Sequence, residues 1–138
     1  TTKARKEAIK TIADRIATAQ KECNAYIRLR DMHTGCIDCG KPFEPQRPGG
    51  SMDAGHFRSR SSAPNLRFCE DNIFGQRKNC NRPGGATAAN FRAGVVERIG
   101  EARVLAVEHD NAPRKWTHAE LIEIAATYKQ KRKDLEAA

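Results

Sequence analysis

A chain of 138 residues with 25 Lys and Arg against 17 Asp and Glu, 38% apolar residues and a mean hydropathy of −0.73 is lean in core material. No apolar run approaches the ~18 residues of a spanning helix, and no leader pattern stands at the start. The expectation is therefore one domain over residues 1–138 with no membrane segment, its modest core supplemented by an elongated helical body or a metal staple.

The net charge of +8 is unevenly placed. Residues 1–30 carry eight basic and three acidic side chains, residues 31–100 ten and seven, and residues 101–138 seven of each. Within 56–92 there are seven basic and two acidic residues, which points to a polyanion partner, nucleic acid first, with a solvated surface as the alternative. Five cysteines is an odd number. Without any sign of secretion, metal binding is a better reading than a disulfide framework. The chain opens Thr1-Thr2 rather than Met, so a preceding N-terminal piece is expected.

In chain order, the spacing of Ile9, Ile12, Ile16, Ala19, Cys23, Tyr26 and Ile27 predicts one amphipathic helix from Lys3 to Arg30. Cys23 lies on its apolar stripe, and Lys3, Lys10, Lys21 and Arg28 lie on the charged face. His33 to Gly50 is turn-rich and contains Cys36-Ile-Asp-Cys39-Gly40, the form of a zinc knuckle; no βαβ pattern supports the redox alternative. Strands are predicted at 51–57 and 65–68, with Ser59–Pro64 as the loop between them. A helix from Thr87 to Ile99 stops at Gly100, and a short one runs over Glu101–Glu108. His109–Pro113 breaks it, and Thr117-His-Ala-Glu120 is a capping box opening the last helix. Lys129–Lys133 are read as cations at that helix's C-terminus, where the dipole favours them. The segments are 1–32 (N-terminal helix), 33–86 (knuckle and hairpin) and 87–138 (C-terminal helices).

The middle third carries residues suited to phosphodiester hydrolysis. His56 can deprotonate a water. Asp53 and Asn81 offer hard oxygens to a Mg²⁺ or Mn²⁺ ion, which takes few carboxylates and keeps several waters. Gly55 is read as leaving room for a phosphate beside His56. Asn72 is suited to holding the loop that carries the imidazole by hydrogen bonds to its backbone. Asn81 follows Cys80, so a metal that pins one pins the other. Each residue alone has a bland reading as a turn former, but four of them tracking the cysteines in this way do not. Arg58, Arg60, Arg67, Arg77, Lys78, Arg82 and Arg92 flank the site as candidate DNA contacts, positioning a substrate through its phosphates.

Asp53-Ala-Gly-His-Phe57, Leu66-Arg-Phe68, Asn72, Gln76 and Cys80-Asn81 resemble the phage NinG (Rap) recombination-nuclease family. The resemblance extends through Asn24-Ala-Tyr-Ile-Arg28, Arg98-Ile-Gly100 and Trp116-Thr117, and the family's basic, cysteine-bearing N-terminal region is missing. The layout is also similar to the HNH (His-Me finger) nucleases and to endonuclease VII-type resolvases. The resemblance implies an α+β, mainly helical fold with a small zinc-stapled ββα-metal hairpin between long N- and C-terminal helices. It implies a metal-dependent endonuclease cutting branched DNA (Holliday junctions, D-loops) in phage recombination, in the cytoplasm of the bacterial host. A homodimer is expected, with the long first and last helices as candidate interfaces. A generic duplex nuclease and a zinc-stabilised DNA-binding module without catalysis are the rivals. Arg77 stands where the family plan has a cysteine, so Cys36, Cys39 and Cys80 need a fourth zinc ligand. Cys69 is the favoured one, with His33 or a three-ligand site as alternatives.

Overall fold

The computed structural model describes residues 1–44 and 50–138; residues 45–49 of the turn-rich segment lie outside the described residues. Five α-helices and a two-stranded sheet follow in the order α1 (Thr2–Ala8), α2 (Ile12–Arg30), β1 (Met52–His56), β2 (Ile73–Arg77), α3 (Ala88–Ile99), α4 (Glu101–His109) and α5 (His118–Ala137), with 3-10 turns at Pro64–Leu66 and Glu70–Asn72. The fold is mixed α and β, mainly helical, as expected. No described helix is long and apolar enough to cross a membrane.

The expected first helix is broken. Thr11 and Asp14 form a reciprocal capping box that starts α2 afresh. Arg15 then clasps the end of α1 through the Glu7 carboxylate and carbonyl. Ile9 drops off the stripe and is exposed. From Ala19 onward the stripe does face the core. Ala19, Cys23 and Ile27 pack with Phe68, Ile73, Leu121 and Tyr128, and the Tyr128 hydroxyl donates to the Phe68 carbonyl at 2.6 Å. The apolar faces of α2 and α5 thus cover each other. Ile122, beside the buried Leu121, is exposed.

Lys129–Lys133 do not end their helix, which continues to Ala137 with no basic residue in its last turn. Lys131 instead pairs with Glu70 and lies over the Tyr26 ring, and Arg132 pairs with Glu22 and Glu136. Neighbouring carboxylates, rather than the helix dipole, account for those two charges.

The strand expected at 65–68 is absent. Pro64 opens a 3-10 turn there, and the Leu66 carbonyl is taken by the Asn72 side chain at 3.2 Å. The partner of β1 is Ile73–Arg77, antiparallel, with Asp53 opposite Gln76 and His56 opposite Ile73. Both faces of β2 are covered. Ile73 joins the α2–α5 core, while Phe74 packs with Ile37, Phe91, Val95 and Val104 beneath α3 and α4. A Cβ on Gly94 would lie 1.9 Å from the Ile37 carbonyl oxygen, so α3 sits directly on the knuckle.

The end of α2 is tied to β2 by the buried Asp31. It accepts from the Gly75 N–H at 2.8 Å and from Arg30, whose guanidinium also donates to the Ile73 carbonyl at 2.8 Å. Arg98 approaches to 3.7 Å. Asp31→Ala strands these donors, and an expected loss of about 3 kcal/mol follows from breaking a buried pair on one side. Urea unfolding checks it, and a loss under ~1 kcal/mol would contradict the assignment.

Candidate active site and thiolate cluster

β1 and β2 bring Asp53, His56 and Asn81 to one polar cleft of about 410 Å³, which Asn24, Arg28 and Arg60 also line. His56 ends β1 with its Nε2 3.0 Å from the Arg67 carbonyl oxygen. A carbonyl only accepts, so Nε2 carries the proton and Nδ1 is left with its lone pair. Burial pushes the imidazole pKa below its ordinary value; the hydrogen bond to Arg67 opposes this, and the Arg60 and Arg67 charges add to it. The ring is therefore held neutral, in one tautomer, with a free basic nitrogen.

Asn72 is fully buried and its amide is fully used. Its Oδ1 accepts from the Arg58 N–H at 2.8 Å, and its Nδ2 donates to the Arg58 and Leu66 carbonyls at 3.0 and 3.2 Å. Its own carbonyl accepts from the Phe57 N–H at 2.8 Å. Asn72 thus holds the loop following His56 and stands away from the cleft.

Asp53 and Asn81 are neighbours: the Asn81 Nδ2 lies 3.2 Å from one Asp53 carboxylate oxygen, and the Lys78 ammonium lies 2.7 Å from the other. One carboxylate beside one amide is a donor set that suits a hard divalent ion retaining several waters, once the amide turns its oxygen inward and the exposed Lys78 swings away. Gly55 has a packing role as well. A Cβ there would lie 2.1 Å from the Gln76 Oε1, so the glycine makes room for that buried side chain, and it also lines the cleft beside His56.

The thiol groups of Cys36, Cys39 and Cys80 all lie within 4.8 Å of one another. The knuckle turn is built by Gly40 N–H to Cys36 O at 2.9 Å and Cys36 N–H to Lys41 O at 2.9 Å, with Gly35 and Gly40 at positive φ. Tetrahedral zinc with Zn–S bonds of ~2.3 Å places sulfurs roughly 3.8 Å apart, so the trio fits such an ion. Cys69 is not among them. It precedes the second 3-10 turn and packs beside Ala63, Leu66 and Val107, and burial pushes its thiol pKa up. His33 is exposed and also outside the cluster. Arg77 occupies the neighbourhood instead, its N–H 3.2 Å from the Cys36 sulfur and its guanidinium 3.9 Å from the Cys39 sulfur. Burial works against the Cys39 thiolate, but hydrogen bonds from Lys41, Arg77, Cys36 and Cys80 bring its pKa below the ordinary thiol value, while Cys80 is pushed up to about 12 by desolvation and the adjoining thiols.

Two of the seven candidate DNA contacts are committed elsewhere. Arg58 donates to the Val107 and Asp110 carbonyls and to Asn111, clamping the end of α4. Arg92 bridges α3 to Glu101 and Glu108 of α4. Arg67 is half committed, donating to Gln20 at 3.1 Å. Arg77 faces the thiols and Glu44, and Lys78 faces Asp53. Arg60 and Arg82 are exposed.

A family model described as "Bacteriophage Lambda NinG protein" matches residues 1–137. The chain belongs to the NinG family. It is 41% identical over 133 residues to the protein ninG of Salmonella phage P22, covering 96% of this chain and 63% of that protein. It is 39% identical over 133 residues to the protein ninG of Escherichia phage lambda, again 96% of this chain and 63% of the relative. The chain thus spans about 63% of the length of these NinG relatives. No solved structure matches it. All of the cleft and the thiolate cluster lie inside the span that the NinG model covers.

Asn24 and Arg28 were not among the site residues expected from sequence. Their signal was weak, a polar pair four apart on a helix whose other face is core, and only the packing of α2 against β1 turns that pair toward His56.

Proposed function

We propose that this NinG-family chain is a divalent-metal-dependent endonuclease of the HNH (His-Me finger) type that cuts branched DNA. The observation that carries the reading is His56: neutral, fixed by the Arg67 carbonyl, its Nδ1 free, in one cleft with the Asp53–Asn81 pair. The order β1, β2, α3, with a metal-competent cysteine trio that joins the knuckle before β1 (Cys36, Cys39) to the turn after β2 (Cys80), supports a ββα-metal hairpin and its relation to the endonuclease VII-type resolvases.

In this reading Nδ1 of His56 takes the proton of the attacking water, and Asn72 keeps the loop after His56 in place. Asp53 and Asn81 would hold Mg²⁺ or Mn²⁺. When bound, such an ion supplies charge stabilisation on the phosphate oxygens and on the leaving 3′ oxygen. Cys36, Cys39 and Cys80 would hold a structural Zn²⁺. Of the seven candidate contacts, Arg60 and Arg82 are exposed and not committed elsewhere among the described residues, so they are suited to phosphate contacts without base reading, as recognition of junction shape requires. Resolving a four-way junction takes two incisions, hence a homodimer, acting in the cytoplasm of the bacterial host during phage recombination.

The Lys78–Asp53 ion pair favours a second reading, a DNA-binding module with its carboxylate neutralised and no catalysis. Cleavage of a four-way junction and of a linear duplex, with metal omitted and then added, separates the possibilities. Metal-dependent cutting of the junction over the duplex is expected. Equal cutting of both points to a generic duplex nuclease, and no cutting with either Mg²⁺ or Mn²⁺ points to the binding module.

A further inference from the structure

The wall of the cleft facing β1 belongs to α2, and its hydrogen bonds are ordered in one direction. Gln20, Asn24 and Arg28 stand four residues apart along the helix. The Arg67 Nε donates to the Gln20 Oε1 at 3.1 Å. A guanidinium can only donate, so this oxygen assignment is forced, and the Gln20 Nε2 must be the group that donates to the Asn24 Oδ1 at 2.9 Å. Gln20 is itself buried and cannot turn to water. The chain of donors therefore ends with the Asn24 amide NH₂ as an unspent donor in the cleft. One turn on, the exposed Arg28 guanidinium has no ion pair or hydrogen bond among the described residues and lines the same cleft. The Arg67 carbonyl that fixes His56 belongs to the residue that starts this relay, so both walls are set by one element.

We infer that Asn24 and Arg28 form a phosphate-binding wall, the Asn24 NH₂ and the Arg28 guanidinium contacting non-bridging oxygens of the DNA strand presented to His56, with Gln20 and Arg67 as positioning residues. Two convergent donors, one charged, are what a phosphodiester requires on the side away from the carboxylate. The inference rests on the endonuclease reading for its substrate, but it predicts a binding effect that does not require cleavage.

The test uses four variants of the full chain on a four-way junction: Arg28→Ala, Asn24→Asp, Asn24→Ala and, as a control remote from the cleft, Lys129→Ala. Asn24→Asp keeps an oxygen to accept from Gln20 and the side chain's shape, but replaces the donor by a second acceptor and adds a negative charge where the phosphate would sit. Losing a phosphate contact reduces the slope of log K against log salt by about 0.9 in Arg28→Ala, and misplacing the phosphate slows its cleavage by roughly 100-fold. Asn24→Asp is expected to cut and bind worse than Asn24→Ala. The order is the discriminating result, because loss of a merely structural bond predicts the reverse. Wild-type cleavage and salt slope in Arg28→Ala and both Asn24 variants would overturn the inference, as would an equal fall in slope for Lys129→Ala. If the wild-type chain binds the junction but cuts nothing, the endonuclease reading fails on its own, and the slopes still decide whether this wall binds phosphate.

Discussion

His56→Ala is expected to lower cleavage of a four-way junction by ~10²–10⁴-fold, the usual worth of a positioned general base, with junction binding within a few-fold of wild type. Binding survives in this reading because the substrate is held by cations around the cleft, whereas the imidazole touches only the attacking water. The pH profile gives a second check on the same residue. Burial disfavours the charged ring, so His56 stays deprotonated to a lower pH than an ordinary histidine. The rising limb of cleavage rate against pH therefore falls below the ordinary value of ~6.5. The sign for stability runs the same way. Below ~6.5 the unfolded chain binds this proton more readily than the folded one, so the folded state loses ground as the pH drops toward the depressed value. Single-turnover rates across pH 5–8, with gel-shift binding alongside, measure both effects. Near-normal cleavage by His56→Ala would remove the histidine from the mechanism.

Stripping zinc is expected to have the second large effect. The purified chain should hold one equivalent, lost in Cys39→Ser and retained in Cys69→Ser. The knuckle carries Ile37, which fills the space between Phe74, Phe91 and Val95, and α3 rests on its backbone at Gly94. Loss of the ion therefore reaches the second core cluster and not the surface alone. Structural zinc contributes ~10 kcal/mol or more in small domains. If a third of that is coupled to folding here, Tm falls by roughly 10 °C, at ~2–4 °C per kcal/mol. Metal analysis and thermal melts of the two variants read this out directly. A Cys69→Ser chain that loses its zinc would reinstate Cys69 as the fourth ligand. A Cys39→Ser chain with unchanged zinc and Tm would remove the staple.

Local signals in the sequence translated well into structure. Thr87 and Gly100 bound α3, and Thr117 with Glu120 open α5 in a reciprocal box. These are decided by side chains within four residues of each other. The box at Thr11–Asp14 lies inside a longer apolar periodicity, which has no means of registering a break. The second strand was hidden for another reason. Both of its faces are covered, so Ile73-Phe74 shows no alternation, while Leu66-Arg67-Phe68 alternates but has its carbonyl taken by Asn72. Counting thiols suggested Cys69, and a count carries no distance. Arg28 is legible as part of the charged face of α2, while the polar row Gln20, Asn24, Arg28 is not singled out by sequence. That it faces His56 follows from how Asp31 and Arg30 fasten the helix end to β2, more than forty residues along the chain.

The arginine against the cysteine trio also alters the electrical character of the staple. Four thiolates around a divalent zinc sum to two negative charges, a burden beside a phosphate backbone. Three thiolates would leave one, and the Arg77 guanidinium, 3.9 Å from the Cys39 sulfur and shared with Glu44, offsets part of it. In the endonuclease reading, a zinc-loaded staple of this composition would repel DNA less than a four-thiolate one from the cleft that Asn81 lines.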